Sequence, residues 1–157
     1  MDRRNDIIEA LQDDLDQSLL FFRSLTPQEL GIEVYQDGQG WTAVQVAAHF
    51  ITIERSMHWL FKNILEGGEG SPADFDPDRF NKKQVPKIDH LPLETLLSQL
   101  NEVRSETIDI VRQMSDADLD RTGRHAFHGQ GTLERFVRWA YEHARLHVGD
   151  IHKAIGR

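Results

Sequence analysis

His143 and His147 fall four residues apart in Ala140-Tyr141-Glu142-His143-Ala144-Arg145-Leu146-His147, late in an amphipathic run from Thr132 to about Ala154. On a helix this spacing sets both rings on one face, with Cβ atoms about 6 Å apart. Two imidazoles so placed can share one metal ion. Zinc-type coordination, at about 2.0–2.1 Å from each nitrogen, then asks for at least one further ligand from another segment. His49, in Trp41-Thr42-Ala43-Val44-Gln45-Val46-Ala47-Ala48-His49-Phe50, is the candidate. Three neutral imidazoles would leave positions for water or substrate, as in a catalytic rather than a closed structural site.

Each of these histidines taken alone reads as a core-edge ring satisfied by one hydrogen bond. The pair is different, because Phe136, Ala140, Ala144 and Ile151 fill the rest of its face. Two neighbouring imidazoles are costly there unless something satisfies their nitrogens, and a metal does so for one nitrogen of each ring. No His-Glu-x-x-His, no paired Glu-x-x-His and no cysteine ligand accompanies them. Asp150, three residues beyond His147, is positioned either to orient a ligand ring or to stand as a plain surface carboxylate.

A second group, Arg124-His125-Ala126-Phe127-His128-Gly129, precedes the last helix, whose N-terminus favours anions. Folded over a metal, Arg124 could bind a substrate carboxylate and His125 or His128 could transfer a proton. An exposed polar loop is the simpler expectation, since a two-residue spacing is not a helical ligand pair. His58, His90 and His152 read as surface or helix-end residues.

These residues depend on helices to place them. Ile7, Ile8, Leu11, Leu15, Leu19 and Phe22 mark an amphipathic first helix from about Asp6 to Arg23. Thr26-Pro27-Gln28-Glu29 opens a short capped turn, and Val34 to Gly40 is loop-like. Thr42 and Gln45 form a capping box for a second long helix running to about Leu65, where Gly67-Gly68 end it. His49 lies near the edge of its inward stripe. Residues 66–91 carry Gly and Pro breaks without sustained periodicity, and predict a long crossover pinned by Phe75 and Phe80. A third long helix starts at Pro92, with Leu93, Leu96, Leu97, Leu100, Val103, Thr107, Ile110, Val111 and Met114 at helical spacing. Ser115 to Asp118 caps another turn, residues 121–131 read as a polar flexible loop, and the His143–His147 helix closes the chain. Four long helices with no strand pattern and one long crossover predict a single all-α domain, 1–157, built as an antiparallel or mixed four-helix bundle.

The bulk numbers agree with one core, since a chain of 157 residues buries about 70% of the surface its unfolded form exposes. The absence of cysteine excludes disulfides, thiolate ligands and a cysteine nucleophile, but not a thiol cosubstrate. A net charge of −8 without a dense basic patch argues against nucleic acid and anionic membranes as partners. With neither a signal-peptide apolar region nor a membrane-length apolar run, a cytoplasmic protein is the expectation.

Trp41-Thr42, the helical approach to His49 and the late His143-x-x-x-His147 helix together resemble the DinB/YfiT-like superfamily of metal-binding four-helix proteins. The likeness covers nearly the whole chain, including helix order and the long connection after the second helix. It implies that His49, His143 and His147 bind one divalent metal, zinc or nickel, and that the protein forms a homodimer. The superfamily includes thiol-dependent transferases and isomerases, proposed metal-dependent hydrolases and proteins without known activity, and a shared bundle does not select among them. The resemblance therefore implies a metal-dependent enzyme that activates water or a low-molecular-weight thiol against a small-molecule substrate, with a lean towards thiol transfer. No stretch identifies a particular thiol. The competing readings are a non-catalytic helical homodimer with a structural or sensory metal and, third, a metal-free helical adaptor.

Overall fold

The computed structural model describes residues 2–157. Four long helices carry the fold: α1 (Arg3–Ser24), α3 (Ala43–Leu65), α5 (Leu93–Arg112) and α7 (Leu133–Ile155). Short helices α2 (Pro27–Leu30), α4 (Pro77–Gln84) and α6 (Asp116–Leu119) lie in the connections, with a 3-10 turn at Val85–Lys87. The helix starts follow local chemistry. Thr26, Thr42 and Ser115 each accept from the third helical N–H while Glu29, Gln45 and Asp118 reach back, satisfying donors that have no intrahelical partner. α1 begins three residues earlier than the hydrophobic pattern predicts, because Asp2 caps it through the N–H of Arg4.

The long helices pack pairwise as a square in the order α1, α5, α3, α7. One apolar cluster joins Leu15 and Phe22 of α1, Ala47 and Phe50 of α3, Leu96 and Leu100 of α5, and Ile151 of α7. The other joins Ile7, Phe61, Val111 and Leu133. The end of α1 thus lies level with the beginnings of α3 and α5 and the end of α7. Neighbours α3 and α5 are therefore parallel, and the bundle is mixed. A 23-residue helix is about 34 Å long. The crossover between α3 and α5 has to retrace that length, which is why it is long.

A charged layer separates the two clusters. Arg104, 2% exposed, donates to both carboxylate oxygens of Glu54 at 2.9–3.2 Å, to Asp14 Oδ2 at 3.0 Å and to the carbonyls of Leu11 and Ala140. One guanidinium so ties all four long helices at the waist. Thr107 donates to Glu54 Oε2 at 2.7 Å and lies 2.7 Å from His58 Nε2, while His58 Nδ1 is 3.1 Å from Glu106. His58 is buried, which corrects its assignment to the surface or a helix end: Thr107 and Glu106 of α5 lie within hydrogen-bond reach of its two ring nitrogens. His90 and His152 are exposed, as expected.

Two connections depart from expectation. Residues 121–131 form an antiparallel hairpin, β1 (Thr122–His125) paired with β2 (Gly129–Thr132), rather than a flexible loop. The crossover contains α4, capped by Asp76, instead of being irregular throughout. It is also joined to the hairpin: Arg124 N–H donates to the Glu69 carbonyl and Ser71 N–H to the Arg124 carbonyl, both at 2.8 Å. Gly70 sits between them at φ +93°, where a Cβ would come within 2.4 Å of Arg124 backbone. Only glycine allows that approach.

Candidate metal centre

Thr42 caps the start of α3 and packing of its apolar stripe turns His49 towards α7, where the four-residue spacing sets His143 and His147 on the facing side. The three rings meet through Nε2. His49 Nε2 is 3.2 Å and His147 Nε2 3.0 Å from His143 Nε2, and one ligand atom from each ring lies within 4.8 Å of the others. Nitrogens of a tetrahedral site with bonds of about 2.0–2.1 Å stand about 3.3 Å apart. The spacing matches a shared ion, and the donor set suits one.

Electrostatics keep the rings neutral, the form that coordinates a metal. Burial, reinforced by His147 and His125, pushes His143 down to about 3. Burial and the two neighbouring rings hold His49 well below the ordinary imidazole range, and burial lowers His147. His49 is 3% exposed, at the heart of its stripe rather than its edge. Its ring lies against Trp41, with centroids 4.5 Å apart.

Outside the three nitrogens are groups that orient the rings. Tyr35 Oη lies 2.6 Å from His147 Nδ1 and donates to Asp150 Oδ2 at 2.6 Å. With Nε2 facing the centre as a lone pair, Nδ1–H donates to Tyr35 and the tyrosine proton goes on to the carboxylate. Asp150 thus reaches the site through Tyr35. The loop is held by Val34 N–H on the Trp41 carbonyl at 2.8 Å. His49 Nδ1 and Asn81 Oδ1 are both buried without a hydrogen-bond partner, and both residues line one cavity. Asn81 comes from α4. Tyr35 and Asn81 carry no local sequence signal, because tertiary packing alone brings a loop tyrosine and a crossover asparagine here.

The triad forms part of the wall of an open cavity of about 990 Å³ bordered by α3, α7, the crossover and the hairpin tip. Its lining is mainly apolar, with Trp41, Ile53, Leu60, Phe80 and Trp139 among it. His125 lines it too and is 9% exposed, not the exposed loop residue expected. His128 is half-buried against Trp139 and faces a separate small cleft with Arg135 and Glu142. Arg124 does not line the cavity: its guanidinium donates to the Ser71 carbonyl at 3.4 Å, which does not favour the alternative in which it binds a substrate carboxylate.

A DinB superfamily model matches residues 2–151, and the chain belongs to that family. Two solved structures share its fold. One is YfiT from Bacillus subtilis, described as a probable metal-dependent hydrolase with an unusual four-helix bundle topology. It is 19% identical, with a TM-score of 0.77 over 98% of this chain and 87% of that one. The other is TT2238, a four-helix bundle protein, 20% identical with a TM-score of 0.65 over 97% of this chain and 98% of that one. No curated protein matches the chain. No helix among the described residues is long and apolar enough to cross a membrane.

Proposed function

We propose that the protein is a metal-dependent enzyme acting on a small molecule, with His49, His143 and His147 holding one divalent ion. The observation that carries this reading is the convergence of three neutral Nε2 atoms in the wall of a large cavity. A structural ion would be expected in a closed site, whereas these nitrogens border space large enough for a ligand. When bound, the ion supplies a Lewis acid that lowers the pKa of a coordinated water or thiol.

The chain's own residues do the rest. Tyr35 and Asp150 fix the tautomer and tilt of His147, Trp41 covers the His49 ring, and the mainly apolar lining offers a surface for the body of a small molecule. The nucleophile is water, giving hydrolysis, or a low-molecular-weight thiol, giving transfer. The description of YfiT supports the first, and the absence of a cysteine nucleophile leaves the second to a cosubstrate. Zinc and nickel are the proposed ions, since imidazole suits both. A homodimer is the proposed assembly.

The test is to purify the protein without chelator, measure bound metals, and assay p-nitrophenyl esters alone and 1-chloro-2,4-dinitrobenzene with small thiols, before and after metal removal. Turnover lost with the metal and restored by it supports the proposal. Stoichiometric metal with a large fall in melting temperature on chelation, and no turnover in any form, would favour a structural ion.

A further inference from the structure

His125 has one ring nitrogen already committed. Its Nδ1 accepts the backbone N–H of Phe127 at 3.0 Å and that of His128 at 3.1 Å. A nitrogen accepting two N–H groups carries no proton, so in the neutral ring the proton sits on Nε2. The ring is clamped between Phe136, at 5.0 Å between centroids, and His128 at 4.7 Å. It lines the same cavity as His49, His143 and His147. The hairpin therefore fixes Nε2 as the donor nitrogen of a ring that lines the cavity, not the proton carrier that its residue type suggests. Burial, with His128 and Arg135 nearby, takes the ring down to about 4, so it stays neutral near pH 7.

The entrance gives a second, independent observation. Five large apolar side chains are exposed among the described residues, and four of them, Trp59, Phe75, Phe127 and Leu146, line this cavity. They come from α3, the crossover, the hairpin and α7. Clustered exposed apolar groups mark a binding surface, whereas scattered ones do not.

We propose that the cavity takes a molecule with an extended aromatic or aliphatic body whose reacting end bears a carbonyl-type acceptor oxygen, and that His125 Nε2–H receives this oxygen. A donor fixed before binding favours negative charge developing on that oxygen. The inference rests on the proposed metal-dependent reading for which end of the ligand reacts; the apolar body and the acceptor are read from the cavity alone.

The test measures dissociation constants of acetamide, 1-methylnaphthalene and 1-naphthaleneacetamide for zinc-loaded and metal-stripped protein. 1-Naphthaleneacetamide should bind at least tenfold tighter than acetamide. His125→Asn is the informative variant: its Oδ1 stands close to where Nδ1 stood and can still accept the Phe127 and His128 N–H groups, while its amide N–H donors stand where Cδ2 stood, one bond short of the Nε2–H position. It should weaken 1-naphthaleneacetamide about fivefold, as for one lost hydrogen bond, and leave 1-methylnaphthalene within twofold. An unchanged amide affinity, an equal loss for both naphthalenes, or no preference over acetamide would overturn the proposal. Independently of the variant, ¹⁵N NMR at pH 7 should find the His125 proton on Nε2; a proton on Nδ1 overturns it. If no metal binds and the ligand pattern persists, the metal-dependent reading alone falls.

Discussion

Tyr35 Oη stands 2.6 Å from His147 Nδ1, so a loop between the first two long helices fixes a ring on the last one. The contact spans 112 residues of sequence and ends on Asp150, one turn beyond His147. Tyr35→Phe keeps the ring packing and removes the hydroxyl. Zinc affinity should fall about 10- to 100-fold, the usual effect of deleting a group that orients a metal ligand, with the circular dichroism spectrum unchanged. Unaltered affinity by competition with a chromophoric chelator would remove Tyr35 from the site.

Loss of a ligand should cost more. His147→Ala is expected to weaken divalent-metal binding by more than about 100-fold while helix content is retained. His152→Ala, exposed on the same helix and packed against Phe21, should leave metal affinity unchanged. Titration calorimetry with zinc separates the two, and an equal loss from both would contradict the assigned ligands.

The waist of the bundle predicts a large stability effect away from the triad. Arg104→Met leaves Glu54 buried without its cation and Asp14 with only the more distant Arg145 at 3.7 Å, and should destabilise the fold by about 3–5 kcal/mol. Replacing all three residues together, as R104M/E54L/D14L, should recover most of that loss, because an apolar set of similar volume avoids the desolvation cost. Urea denaturation curves measure both.

Acid should destabilise the metal-free protein in a defined window. His143, lowered to about 3, and His125, lowered to about 4, are neutral when folded and gain protons on unfolding at any pH between those values and about 6.5. The unfolded state then binds more protons, so stability is fully present above about pH 7 and falls as pH drops towards 4, by about 1.4 kcal/mol per pH unit for each ring. Asp14, raised by burial against the pull of Arg104, opposes this at the acid end. Urea midpoints of chelator-treated protein at pH 5, 6 and 7 test the slope, and a flat profile would contradict it.

The bundle and the His143–His147 pair were legible in sequence because both depend on local periodicity, whereas His49, 94 residues from His143, was reached through the need for a further ligand and the family resemblance. A four-residue spacing specifies one helix face whatever surrounds it, and the Thr42 and Gln45 cap fixes where α3 starts. What escaped was set by distant partners. His58 has the polarity of a surface residue, and its burial depends on Thr107, 49 residues away. The hairpin strands, Thr122–His125 and Gly129–Thr132, have no apolar alternation to announce them. Their turn is organised instead by the His125 ring on two backbone N–H groups and by Gly129 at φ +74°. Tyr35 and Asn81 reached the site by the folding of loops whose composition suits many conformations.

The seam between the crossover and the hairpin, closed through Gly70, makes two adjoining sides of the cavity one unit. Beyond that seam, residues 72–76 run exposed to the cap of α4 and take part in neither the bundle core nor the triad. Lengthening or shortening this five-residue hem would redraw the entrance while leaving the imidazoles where they are. A single scaffold could in this way be refitted from one guest to another, with chemistry anchored in the helices and choice of guest tailored at the margin.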